Sequence, residues 1–174
     1  MKKLVLTCLV VLMCVVGLLA GGCGDKGPKF AGKWVTFPTD GTPVKILTIA
    51  KNGNDYLVDT ELYGYMGEKT IRRIDGTTQE YKFQKKSLET KISAQATGND
   101  LLVKSGKGYT LTYVEKDKSL INGNVVYKNY ASDAEVEKAV LAYKDKQKQL
   151  LEEMAKRKDK KDVFKRYFKA SFLN

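Results

Sequence analysis

The chain contains no histidine. The side chain most often used as a general base near neutral pH is therefore missing, and with it the Ser-His and Cys-His arrangements and the commonest metal ligand. Cysteine is scarce and confined to one end, at Cys8, Cys14 and Cys23. Residues 24–174 can form no disulfide, no thiolate zinc site and no thiol nucleophile. Tryptophan occurs once, at Trp34. No glycine-rich phosphate loop and no Asp/Glu cluster with metal-ligand spacing is present. Catalysis would rest on carboxylates, tyrosine, lysine or serine alone, so no catalytic residue, metal ligand or cofactor is expected.

What the chain does have is positive charge, +11 over 174 residues. Such a balance suits nucleic acid, an anionic membrane surface or an acidic partner. The charge is spread, with +5 over residues 23–129 and +4 over residues 130–174. No single nucleic-acid patch is implied.

The opening residues, MKKLVLTCLVVLMCVVGLLAGGCGDKGPKF, have the layout of a secretory signal peptide. Lys2 and Lys3 precede a charge-free apolar run from Leu4 to Ala20, and small residues follow at Ala20, Gly21 and Gly22. The run is short of the roughly 20 residues a membrane-spanning helix needs. Leu19-Ala20-Gly21-Gly22-Cys23 resembles the lipobox of bacterial lipoproteins, with Ala20 where that family most often has leucine. The resemblance implies cleavage between Gly22 and Cys23 and lipidation of Cys23. Two or three acyl chains would give a stable anchor. Gly24 after the cysteine, rather than aspartate, favours the outer membrane facing the periplasm in a Gram-negative cell, and otherwise the outer face of the cell membrane. The implied organisation is a signal peptide over 1–22, a lipidated tether over 23–29, a β domain over 30–129, and a helix with a basic aromatic tail over 130–174. The six residues Gly24–Lys29 reach at most ~20 Å.

From Phe30 to Tyr127 the pattern is one strand after another. Leu88, Thr90, Ile92, Ala94 and Ala96 alternate with polar residues, as on a half-buried antiparallel strand. Similar alternation marks Tyr56–Tyr63, Gln79–Lys85 and Tyr109–Tyr113, and turn signals delimit further strands at Lys33–Phe37, Val44–Ala50, Lys69–Ile74, Leu101–Ser105 and Leu120–Tyr127. Asn52-Gly53 is the strongest hairpin signal between them. Eight or nine strands joined by short loops predict an up-and-down barrel or a strongly curved meander. Gly32-Lys33-Trp34 resembles the G-x-W of the first strand in lipocalin-like barrels, where the tryptophan closes the barrel floor and a helix follows the last strand. That family's partner arginine near the last strand is missing here, the nearest basic residue being Lys128. Tyrosines at 56, 63, 65, 81, 109, 113 and 127 would suit either a ligand cavity or an ordinary β core.

Ser132-Asp133-Ala134-Glu135 is a helix-capping box. Val136, Val140, Tyr143, Gln147, Leu150 and Met154 then form one stripe of a long amphipathic helix. After the charged run Lys156–Asp162, the tail carries Phe164, Tyr167, Phe168 and Phe172 at helical spacing between basic residues. These four either dock on the domain or offer a surface to a membrane or a partner.

The expected protein is a non-catalytic envelope lipoprotein, held to the membrane through lipid on Cys23 and presenting a basic surface to anionic lipid. A small apolar or amphipathic ligand in the barrel is one expected partner. An envelope protein recognised through the helix or loops is the alternative, as in an assembly subunit or an inhibitor of a secreted enzyme. Nucleic acid is not expected.

Overall fold

The protein is described by a computed structural model covering residues 30–74, 76–161 and 167–173. Eight antiparallel strands close into a barrel: β1 (Gly32–Thr36), β2 (Val44–Asn52), β3 (Asp55–Arg73), β4 (Gly76–Thr97), β5 (Asp100–Val103), β6 (Tyr109–Val114), β7 (Ser119–Asn122) and β8 (Val125–Tyr130). Each pairs with its neighbours in sequence, and β8 returns to β1 through Lys33↔Tyr130 to Val35↔Lys128. Helix α1 (Asp133–Lys161) follows, and β9 (Tyr167–Leu173) adds to β4 in parallel.

Three of the hairpins turn through the same dipeptide, Gly53-Asn54, Gly98-Asn99 and Gly123-Asn124, with positive φ at each glycine. The third divides the stretch expected as one strand over Leu120–Tyr127 into β7 and β8. The other departure runs in the opposite direction. The pairs of strands expected over Tyr56–Tyr63 with Lys69–Ile74, and over Gln79–Lys85 with Leu88–Thr97, are continuous as β3 and β4. Both are far longer than the barrel is tall. Beyond Tyr63 they leave the barrel as a ribbon, and β9 lies along the outer edge of β4.

The two faces of the barrel wall bury different cores. Phe30, Trp34, Leu47, Ile49, Val58, Leu101, Leu111, Tyr113, Leu120 and Tyr127 fill the interior. An eight-stranded barrel is just wide enough for side chains to do so. At the end where β1 begins, Phe30 packs edge-on against Tyr56 and Tyr113, and Trp34 against Tyr113. The Trp34 Nε1 donates to the Phe30 carbonyl at 2.6 Å. The lone tryptophan thus belongs to an aromatic plug that closes this end. On the outside, Val35, Val44 and Ile46 meet Val136, Val140 and Tyr143 of α1.

The cap forms with a shifted return bond: Glu135 N–H donates to Ser132 Oγ at 3.2 Å, while Glu135 Oε2 accepts from Ala131 N–H, one residue before the cap, at 2.9 Å. The expected stripe holds through Gln147 and then moves by one residue. Leu151 and Ala155 are buried, whereas Met154 is exposed. A straight helix turns every 3.6 residues and drifts away from a strict seven-residue repeat. The charged run is helix as far as Lys161. The aromatic tail, expected as a helix, is the strand β9; pairing along an open sheet edge outweighs its local helical spacing.

Among the described residues of the helix, Gln147 is the one fully buried polar side chain, at 0% exposure. Its Oε1 accepts from Tyr65 N–H at 2.8 Å. Its Nε2 donates to the carbonyls of Tyr65 and Gly41, both at 3.1 Å. The amide takes over the edge of β3 just where β2 ends, and so pins α1 across the base of the ribbon. Gly64 makes room: its φ is +143°, and a Cβ there would meet Gln147 Oε1 at 2.5 Å. Replacing Gln147 by leucine leaves the Tyr65 amide and two carbonyls without partners. Each buried unsatisfied group costs about 1–3 kcal/mol. Gln147→Leu should therefore lower the unfolding free energy in urea by about 3 kcal/mol or more and speed amide exchange at Tyr65. Unchanged exchange would show that the amide is not what secures the ribbon.

Candidate binding site at the barrel mouth

The end opposite the aromatic plug is bounded by the β3–β4 ribbon and by the β5–β6 and β7–β8 loops. Here the interior turns polar. Register places Lys45 and Leu62 opposite each other on the inner face, and Thr60 opposite both Leu47 and Glu89.

Glu89 does not follow the alternation of its own strand. Two register shifts, between Val58 and Thr60 and between Thr60 and Glu61, flank it. Each inserts one extra residue into β4. Bulges of this kind re-aim a side chain and recur at the rims of barrels. Ile92 and Glu89 consequently share the inner face, while Leu88 and Thr90 are exposed. The single apolar face expected for Leu88–Thr97 is therefore broken: only Ile92 and Ala94 are covered. Lys91 carries the cost, with φ at 52°, a left-handed backbone that residues other than glycine seldom adopt. Asp59 Oδ1 accepts from the Lys91 N–H at 2.6 Å and holds the bulge.

Inside the mouth, Glu89 Oε1 accepts from Ser105 Oγ, and Glu89 Oε2 from Thr60 Oγ1 at 3.4 Å. Lys45 Nζ lies 5.5 Å from the centre of the Tyr109 ring. The Tyr109 hydroxyl is buried and makes no hydrogen bond among the described residues. Burial raises its pKa; the Thr60 hydroxyl close beside it offsets part of the rise, and the Glu89 charge adds a smaller increase. Burial pushes Tyr127 up to about 12, with Tyr109 contributing. Both phenols therefore stay protonated at neutral pH. The mouth thus combines a buried hydroxyl free to donate, a carboxylate, an ammonium group and apolar walls from Leu62 and Ile92. An orphaned buried donor next to a re-aimed acid is the kind of feature that polar recognition requires.

A second concavity, of about 160 Å³, lies outside the barrel between the first turn of α1 and the sheet. Two of its three acids are engaged: Lys85 pairs with Glu61 at 2.9 Å, and Lys33 with Asp133 at 2.7 Å. The hydrogen bond from Lys33 holds the Asp133 carboxyl below its ordinary range. Among the described residues no group of acidic side chains is arranged to hold a metal ion, and no helix is long and apolar enough to cross a membrane.

Of the residues singled out from sequence, Gly22, Cys23 and Phe164 lie outside the described residues. The backbones of Tyr167 and Phe168 lie in β9, opposite Gly76 and Thr77. Phe172 is docked: its ring is 4.9 Å from Tyr65 and 5.8 Å from Tyr81, with Lys148 Nζ 5.0 Å from its centre. It is not a free membrane surface. Among the tyrosines, Tyr56, Tyr109, Tyr113 and Tyr127 belong to the interior. Tyr63, Tyr65 and Tyr81 lie outside it, with Phe83 and Phe172. Sequence alternation hides Glu89 among polar partners, because the bulges arise from pairing with β3 and have no local signature.

No protein-family model, no curated protein and no solved structure matches the chain.

The bulge makes a direct stability prediction. Lys91→Gly removes the left-handed penalty and should stabilise by about 1 kcal/mol. Asp59→Ala removes the exposed bond to the Lys91 amide and should destabilise by about 0.5–1.5 kcal/mol. Denaturation curves in which Lys91→Gly is the more damaging of the two would rule out the strained bulge.

Proposed function

We propose that the protein is a lipid-anchored envelope lipoprotein whose barrel mouth binds a small amphipathic molecule, without catalysis. The lipobox at Leu19–Cys23 supports the anchor, with Cys23 lipidated after cleavage from Gly22. The aromatic plug and the Gly32-Lys33-Trp34 strand support a lipocalin-like reading of the barrel. The observation that carries the binding role is the pair of bulges that turns Glu89 into the mouth beside the unpartnered Tyr109 hydroxyl.

The chemistry of the mouth narrows the ligand. Lys45 and Glu89 bring one charge of each sign to the same rim, and Tyr109 offers a donor. An uncharged polar or zwitterionic head group satisfies all three, while its chain covers Leu62 and Ile92. The deeper interior is already filled by Trp34, Leu47 and Leu111. The ligand therefore sits at the rim and does not thread the barrel.

The lipid-free chain from residue 23, carrying Cys23→Ser, contains every described contact and is suited to the test. Acyl-labelled fluorescent lysophosphatidylcholine, used below its micelle concentration, should bind saturably. Tyr109→Phe and Glu89→Gln should each weaken binding about 5- to 30-fold, the range for one buried hydrogen bond to a neutral or charged group. Lack of saturation, or variants that bind as the parent does, would remove the ligand role and leave the envelope-protein alternative.

A further inference from the structure

The ribbon that extends β3 and β4 past the barrel is an ordered arm with a distinctive tip. Thr70 Oγ1 and Gln79 Oε1 bond across it at 2.6 Å, and Gln79 Nε2 donates to the Lys69 carbonyl at 3.0 Å. Gln84 Nε2 donates to Glu68 Oε1 at 2.5 Å. Lys144 of α1 lies over Phe83, 4.8 Å from its centre. From Tyr65, where Gln147 holds the base, nine residues run to Ile74. At a strand rise of ~3.3 Å per residue the tip stands ~30 Å beyond that point.

At this tip Ile74 is 92% exposed, the most exposed large hydrophobic side chain among the described residues. Arg72 and Arg73, both exposed, immediately precede it. Neither forms an ion pair among the described residues. The described acids of the arm, Glu68 and Glu80, are set back from the tip, as is Lys69, which pairs across the ribbon with Glu80. In sequence, Asp75 follows Ile74 as the one acid next to the arginines. Register brings the start of β9 to the same place, with Tyr167 opposite Gly76 and Phe168 opposite Thr77. An exposed apolar side chain beside two unpaired arginines is complementary to the boundary of an anionic bilayer.

We propose that the ribbon tip is a peripheral attachment point for an anionic membrane surface, with Ile74 entering the head-group region and Arg72 and Arg73 engaging phosphates. It lies at the opposite end of the barrel from Phe30, where the chain enters, and is therefore distinct from any anchor at Cys23. The inference depends neither on lipidation nor on a ligand in the mouth.

The Cys23→Ser chain from residue 23 is sedimented with vesicles of phosphatidylcholine alone or with 30% phosphatidylglycerol, at low and high salt. Binding should require the anionic lipid and be lost at high salt. Each basic residue near an anionic surface is worth about a fivefold change in partitioning, so Arg72→Gln with Arg73→Gln should weaken binding about 30-fold. Ile74→Ser should weaken it about tenfold. In an Ile74→Trp variant the emission of the introduced indole should shift to the blue on anionic vesicles, while Trp34 is already buried and reports no change. Equal binding to neutral vesicles would overturn the proposal, as would undiminished binding of the double variant. So would sedimentation without a blue shift, or full competition by soluble polyphosphate, which would assign the tip to a polyanion instead of a bilayer.

Discussion

The upper half of this molecule depends on one buried amide. β2 stops at Asn52 on one side and begins at Val44 on the other, so the edge of β3 is bare from Gly64 onward. A bare, straight edge is both unstable and prone to pairing with other chains. Gln147 supplies the missing donor and acceptor at Tyr65 and reaches Gly41 with its remaining proton. Because the amide sits on a long helix, the same bonds fix α1 over the ribbon. That places Lys144 and Lys148 over Phe83 and Phe172, which cover the base of β9. Loss of this grip would leave the barrel intact and free the arm above it.

The closing seam of the barrel does two jobs. Pairing between β3 and β4 completes the ring, and it also carries both strands past the rim. The extra residues around Glu89 reconcile these roles. They bend β4 at the mouth and turn a carboxylate inward, and the left-handed Lys91 and the Asp59 bond record the strain and its support. Local strain held in place by its surroundings is a recurrent property of binding sites. The barrel therefore has unlike ends. One is sealed by Phe30, Trp34, Tyr56 and Tyr113, while the other gathers Lys45, Thr60, Glu89, Ser105 and Tyr109 beneath a projecting arm.

The barrel itself was legible because alternation and the turns at Asn52-Gly53 and Gly98-Asn99 are local signals, although the turn at Gly123-Asn124 was passed over. The capped helix was legible because its first turn and its stripe are local too. The lengths of β3 and β4 were not: each was expected as two separate strands, and the pairing that makes them continuous, with Gly64 accommodating Gln147 and Gly67 at an irregular step, is set across the sheet. β9 was hidden for a related reason. Phe164, Tyr167, Phe168 and Phe172 have the spacing of a helix face, and only the open edge of β4, set by the rest of the sheet, makes the segment a strand. Gln147 was placed on the buried stripe, but its partners come from residues 82 and 106 positions away. The inward turn of Glu89 depends in the same way on pairing across the seam.

The central claim is that recognition belongs to the rim opposite the aromatic plug. Hydrogen exchange of the lipid-free chain, with and without lysophosphatidylcholine below its micelle concentration, tests this most directly. Protection should appear in residues 86–92 and 104–110, with the turns at 52–55, 97–100 and 115–118 unchanged. Protection at those closed-end turns, or along α1 alone, would contradict the account.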